Sequence, residues 1–170
     1  MTEQKKSASL KEDILFLVLK LLIFFTLIAV MVFFVFGIYR CSDNMMSPAF
    51  KDGDLAIYYR VQKEFHPSDT VIVEKDGETQ IRRIVAKPGD SVEITADGLK
   101  INGYLQQETG IYTETLPYTE GISFPVTLEE NEYFVLGDNR SGAKDSRIYG
   151  AVKKEEIKGT VIVLLRHRGF

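Results

Sequence analysis

Thr70-Val71-Ile72-Val73-Glu74-Lys75, then Asp76-Gly77, then Glu78-Thr79-Gln80-Ile81-Arg82-Arg83-Ile84-Val85 is the stretch that decides the fold. Two runs rich in β-branched residues flank an Asp-Gly pair. That dipeptide supplies the positive-φ residues a tight hairpin turn needs. Working outward, Leu55–Val61, Ser91–Ile94, Leu99–Ile101, Tyr133–Leu136 and Thr160–Leu165 are further apolar, β-branched or aromatic runs. Asp97-Gly98 separates two of them and Asn102-Gly103 follows. Residues 104–125 are polar with isolated aromatics and read as an irregular excursion. No long amphipathic helix stands out beyond residue 41, and no internal repeat is visible. The expectation is an all-β, antiparallel domain over 41–170.

The N-terminus has a different character. Leu21 to Ile38 is 18 residues without a charge. As a helix it would be about 27 Å long, close to the ~30 Å of a bilayer's hydrocarbon core. Ile14 to Leu19 extends it, with Lys20 placed to snorkel to the near interface. The run is too long for the apolar part of a cleaved signal peptide, and no small-x-small site follows it. Arg40 before Cys41 also speaks against lipid attachment. A retained anchor over 14–39 is expected behind a cytoplasmic tail, 1–13. Lys5, Lys6 and Lys11 precede the span and Arg40 follows it, which favours N-in orientation. The domain over 41–170 then sits on the extracellular face of the cell membrane.

Composition narrows the function. The 170 residues carry 21 Lys and Arg against 24 Asp and Glu, a net charge of −3. Five of those bases and three of those acids lie in the first forty residues, which leaves −5 beyond. Nucleic-acid binding would call for a basic field instead. One cysteine excludes an internal disulfide and any multi-cysteine metal site. Two histidines, His66 and His167, without an HExxH pairing give no zinc motif, so neither a metal nor another cofactor is expected.

Three segments carry a resemblance. Met45-Met46-Ser47-Pro48-Ala49-Phe50-Lys51-Asp52-Gly53-Asp54 is similar to the S-M-x-P-T-L-x-x-G-D box of the bacterial type I signal peptidases. Arg82-Arg83-Ile84-Val85-Ala86-Lys87-Pro88-Gly89-Asp90 resembles that family's K-R-V-x-G-x-P-G-D. Gly137-Asp138-Asn139-Arg140-Ser141-Gly142-Ala143-Lys144-Asp145-Ser146-Arg147 resembles its G-D-N-R-x-x-S-x-D-S-R. These are membrane-anchored Ser/Lys proteases that remove signal peptides. The resemblance implies a large antiparallel β fold with a hydrophobic face near the membrane.

The departures from the pattern matter as much. Alignment on Pro48 and Gly53-Asp54 places Met45 at the nucleophilic serine and Arg82 at the general-base lysine. Ala143 stands for the serine beside that lysine, and Ala49 for the box threonine. Asp138, Asn139, Arg140, Asp145 and Arg147 keep the structural motif. Acyl transfer of this type needs a hydroxyl and a neutral amine within hydrogen-bond reach. A thioether cannot form and release an acyl-enzyme. A guanidinium has no acceptor lone pair and is no base. Loss of a nucleophile–base pair costs roughly 10⁴–10⁶ in kcat. Asp43, two residues before Met45, would also repel a developing oxyanion.

The resemblance therefore implies a pseudoenzyme that keeps a peptide-accepting groove. Its walls are expected to be residues 41–47 and 80–84 as paired strands, with Asp43, Met45, Met46, Ser47, Gln80, Ile81 and Arg82 facing the peptide. Variants of this kind occur in pilus gene clusters of Gram-positive bacteria, as chaperones or assembly factors that work with a sortase on pilin subunits. The alternative is an active signal peptidase with a displaced nucleophile. Ser47 would face the same way as Met45 if the segment were a strand, and Lys51, Lys75 and Lys87 are candidate bases by type. A further expectation is that Arg82 plugs the old catalytic pocket and pairs with Asp43. A sortase-like role for Cys41 finds no TLxTC-like strand to support it.

Overall fold

The computed structural model describes residues 2–62 and 64–166, with side chains described from Glu12 onward. His167 lies outside the described residues. The N-terminal unit is one helix, α1 (Thr2–Val35). Its Glu12–Val35 portion is long and apolar enough to cross a membrane, and its apolar window contains no residue buried within the protein. At 1.5 Å per residue that portion is about 36 Å long.

The helix stops earlier than expected. Phe36–Arg40, read from sequence as the end of the anchor and its flank, form strand β1. Gly37 marks the change of conformation. A Cβ there would lie 2.2 Å from Cζ of the Tyr58 ring, so a larger residue would require that ring to move.

The second unit is mostly antiparallel β. Its remaining strands are β2 (Leu55–Tyr59), β3 (Thr70–Lys75), β4 (Glu78–Ala86), β5 (Ser91–Thr95), β6 (Gly98–Ile101), β7 (Tyr104–Leu105), β8 (Val126–Thr127), β9 (Glu132–Leu136), β10 (Val152–Lys153) and β11 (Ile157–Leu165). A single-turn helix, α2 (Ser146–Tyr149), precedes β10. Seven strands form one sheet in the order β1-β2-β11-β3-β4-β9-β10, and four form another in the order β7-β6-β5-β8. The hairpin that opened the sequence reading is β3–β4, with Lys75 opposite Glu78 and Thr70 opposite Arg83. Asp76 and Gly77 both have positive φ, 54° and 78°, as the turn requires.

Alternation along β3 and β4 builds the core. Val71, Val73 and Ile84 pack with Phe65, Tyr133, Val135 and Val152. Ile72 and Ile81 point the other way and pack with Cys41, Met46, Phe50 and Ala56. The smaller sheet buries Val92, Ile94 and Leu99 against Phe134 and Leu136. Of residues 104–125, expected to be irregular, Tyr104–Leu105 form β7 against β6, and the remainder up to β8 is irregular.

β11 pairs with β2 along one edge and β3 along the other, with register shifts between Val161 and Val163 and between Ile157 and Gly159. Gly159 has φ 152°, and a Cβ on it would lie 2.1 Å from the Tyr59 carbonyl oxygen. That neighbour is backbone and cannot swing aside. Gly159→Ala is therefore expected to destabilise the domain by about 1–3 kcal/mol or more. Urea unfolding of the full-length protein in detergent, followed by tyrosine fluorescence, reads this directly.

Candidate functional site

β9 pairs with β4 only at Arg83, Ile84 and Ala86. Along the first half of β4, the segment after β1 and the loop after β9 line the cavity beside it. That cavity has a volume of about 320 Å³ and is lined by Ser42, Asp43, Met45, Glu78, Thr79, Gln80, Arg82 and Lys144. Glu78, Gln80 and Arg82 alternate along one face of β4, which is why all three reach it.

Arg82 dominates the inner wall and is 1% exposed. Its Nε and Nη2 donate to the Lys144 carbonyl at 2.9 and 2.7 Å. Nη1 donates to the Ile81 carbonyl, and Nη2 also lies 2.9 Å from the Met45 sulfur. Among the described residues no carboxylate forms an ion pair with Arg82, so the expected pairing with Asp43 is not made. Asp43 Oδ1 instead accepts the Met45 N–H at 2.8 Å. Two residues' separation favours this local Asx-type turn over a reach across the cavity. The Tyr149 hydroxyl is buried near the guanidinium. Burial holds its pKa well above that of an ordinary phenol, with the nearby Arg82 charge opposing.

The third sequence motif clamps the Met45 turn. The Asn139 backbone N–H donates to the Met45 carbonyl at 3.0 Å. A Cβ on Gly137 would strike both the Ala143 Cβ, at 2.2 Å, and the Met45 carbonyl oxygen, at 2.7 Å. Met45, Arg82 and Ala143 are thus brought to one place. Around them runs a buried ionic network. Arg83 grips Asp138 with Nε at 2.7 Å and Nη2 at 2.6 Å. Asp145, fully buried, accepts from Arg147 Nε and Nη2 at 2.9 and 2.8 Å and from the Gly137 N–H at 3.0 Å. Arg140 donates to the Gly137 carbonyl and is paired by Glu108 and Thr115 from the excursion. Tyr118, also from the excursion, stacks on Arg147 with 4.3 Å from guanidinium carbon to ring centroid and donates to the Ala143 carbonyl at 2.9 Å.

Of the groove residues named from sequence, Asp43, Met45, Gln80 and Arg82 line the cavity. Met46 and Ile81 do not: they are 2% and 3% exposed and belong to the core. Ser47 is half-buried and absent from the lining. Residues 41–47 are not a strand, contrary to expectation. Asp43 takes the Met45 N–H, Asn44 O the Ser47 N–H and Met46 O the Phe50 N–H, so local turns consume the bonds a ladder would need. Ser47 therefore does not share Met45's face by strand alternation. Lys51, Lys75 and Lys87 do not line the cavity either, and Lys75 is engaged by Glu156 at 2.9 Å. Sequence reasoning missed Glu78, Thr79 and Lys144, and it put Ser42 on the wall segment without counting it among the residues that face the peptide. Glu78 was legible as i−2 from Gln80 on the same strand face, whereas Lys144 arrives by tertiary folding and ion-pairs with Glu78 at 3.3 Å.

Cys41 is buried beside this segment. Burial, and then the carboxylates of Asp54, Asp43 and Asp52, push its thiol pKa up to about 11. The thiolate is the reactive form, and an ordinary thiol ionises near 8.5. At pH 8 alkylation by iodoacetamide is expected to run about a hundredfold slower than for a free thiol, recovering only on unfolding. Mass spectrometry of the time course measures it.

Comparison with known proteins supplies the family. The family model described as signal peptidase, peptidase S26, matches residues 14–165. The chain belongs to that family. A signal peptidase I of Bacillus licheniformis is 31% identical over 174 residues, covering 94% of this chain and 92% of the relative. Signal peptidase I S of Bacillus subtilis (strain 168) is 31% identical over 138 residues, covering 75% of each. A crystal structure of a signal peptidase I from Enterococcus faecalis V583 is 28% identical and covers 59% of this chain and 98% of its own, with a TM-score of 0.49.

Proposed function

We propose that this chain is a membrane-anchored member of the family that binds peptide without hydrolysing it. In this role it acts with a sortase as an assembly factor for pilin polymerisation. The carrying observation is the contact of the Arg82 guanidinium with the Met45 sulfur at 2.9 Å. The two side chains that meet where the family's chemistry would be done are a thioether and a guanidinium. Neither can supply an attacking oxygen or accept its proton. The Met45 N–H, a backbone donor beside that point, is already spent on Asp43. A developing oxyanion would find a carboxylate there in place of a free donor. Lys144 Nζ, the amine that lines the cavity, is held by Glu78 and makes no hydrogen bond to a hydroxyl among the described residues.

The anchor supports a place at the membrane, and the lysines before it an N-in orientation with the β domain on the outer face. The pilin and sortase partners rest on the family resemblance of the altered motifs. The alternative, an active signal peptidase acting through Ser47, is favoured by the relatives, which are signal peptidases. A turn serine away from the cavity weighs against it.

Co-expression tests the assembly role. Pilin and sortase are produced in a heterologous Gram-positive host with or without this chain. A ladder of covalent pilin polymers is expected only when the chain is present, and it should persist with Ser47→Ala, which lies outside the cavity lining. A full ladder without the chain would remove the assembly role.

A further inference from the structure

Gln80 is 5% exposed and lines the cavity, yet its Oε1 has no hydrogen-bonding partner among the described residues. Its Nε2 donates to Glu78 Oε2 at 3.4 Å. The reverse amide orientation would set Oε1 against that carboxylate, acceptor against acceptor, so the orphaned atom is the oxygen. A buried acceptor left unmet is costly, and a cavity beside it is where a ligand's donor would relieve the cost.

The charges around the cavity limit what that donor belongs to. Asp43 and Glu78 are balanced by Arg82 and Lys144, so an entering ion would leave a surplus charge in a partly buried place. Donors are also available on the walls, where Ser42 contributes a hydroxyl and Lys144 an ammonium with N–H groups beyond the one given to Glu78. A group that fits offers an N–H and a carbonyl together and carries no charge.

We propose that the cavity selects a carboxamide side chain, asparagine or glutamine, in the bound peptide, its N–H donating to Gln80 Oε1. This rests on the cavity being a peptide-accepting cleft. A carboxylate of the same shape lacks the donor and adds a charge, and an aliphatic chain leaves Gln80 unmet. About 320 Å³ holds such a side chain with part of its backbone.

The probes are end-blocked heptapeptides, Ala-Ala-Gly-X-Gly-Ala-Ala, with X as glutamine, glutamate, norleucine or lysine. Dissociation constants are read by ligand-observed NMR on the full-length protein in detergent. The glutamine peptide should bind about tenfold or more tighter than the glutamate and norleucine peptides, because a site built around a polar contact rejects analogues lacking it. Gln80→Leu should erase the preference. Gln80→Glu, which keeps size and an acceptor but adds a charge, should pass it to the lysine peptide. Equal binding of all four peptides, unchanged in both variants, would overturn the proposal and leave the peptide cleft standing. No binding by any of them would overturn both.

Discussion

Asp145→Ala will destabilise the β domain by about 3–5 kcal/mol, the cost of stranding a buried cation. Asp145 is fully buried and Arg147 is 1% exposed. The carboxylate takes two side-chain bonds from Arg147, the Arg147 N–H at 3.1 Å and the Gly137 N–H. Alanine removes all four and leaves the guanidinium with only the Leu116 carbonyl and the Tyr118 hydroxyl. It also uncaps α2. The double variant Asp145→Ala, Arg147→Met should recover much of the loss, since no unpaired charge remains. Urea unfolding of both proteins in detergent checks this. A single variant as stable as the parent would mean that the network is not what holds the 137–147 loop.

The second large effect concerns chemistry. The parent is expected to cleave signal-bearing preprotein at least about 10⁴-fold more slowly than an active family member, the scale of losing a nucleophile–base pair. Met45→Ser, Arg82→Lys and Ala143→Ser together should restore part of that activity. The geometry sets a limit on the recovery, because Asp43 would still hold the N–H of residue 45. Adding Asp43→Ala frees that donor and should raise cleavage by roughly a further 10²–10³-fold, the usual worth of one oxyanion contact. Single-turnover cleavage of the same preprotein by the triple and quadruple variants separates the two contributions. Equal rates would show that the Asp43 bond is not inhibitory.

Strand positions were readable because β-branched runs and turn dipeptides are local signals. The β3–β4 hairpin, β5 and β9 fall where Thr70–Val85, Ser91–Ile94 and Tyr133–Leu136 placed them. The end of the anchor was not readable. Phe36-Gly37-Ile38-Tyr39 is as apolar as the helix before it, and its change to strand β1, with Gly37 against the Tyr58 ring, leaves no local signal in the sequence. Segment 41–47 failed for a related reason. Asp43 and Asn44 satisfy backbone groups locally, which a periodicity count does not see.

The site was legible in its inner residues and not at its rim. Met45, Arg82 and Ala143 could be placed by motif spacing. The role of Arg82 could not, because its partners are the carbonyls of Lys144 and Ile81, which carry no sequence identity. The excursion read as a loop proved to be an ordered strap, with Glu108, Thr115 and Tyr118 binding Arg140 and Arg147 from far along the chain. Such pairings depend on tertiary structure and leave no trace in local composition.

The most direct test of the central claim is cleavage by the unaltered chain. The full-length protein in detergent is incubated at high ratio with a signal-bearing preprotein, beside an active signal peptidase I as control. No cleaved product is predicted. Clean cleavage after a small-x-small site, abolished by Ser47→Ala, would contradict the account and make the chain a working peptidase.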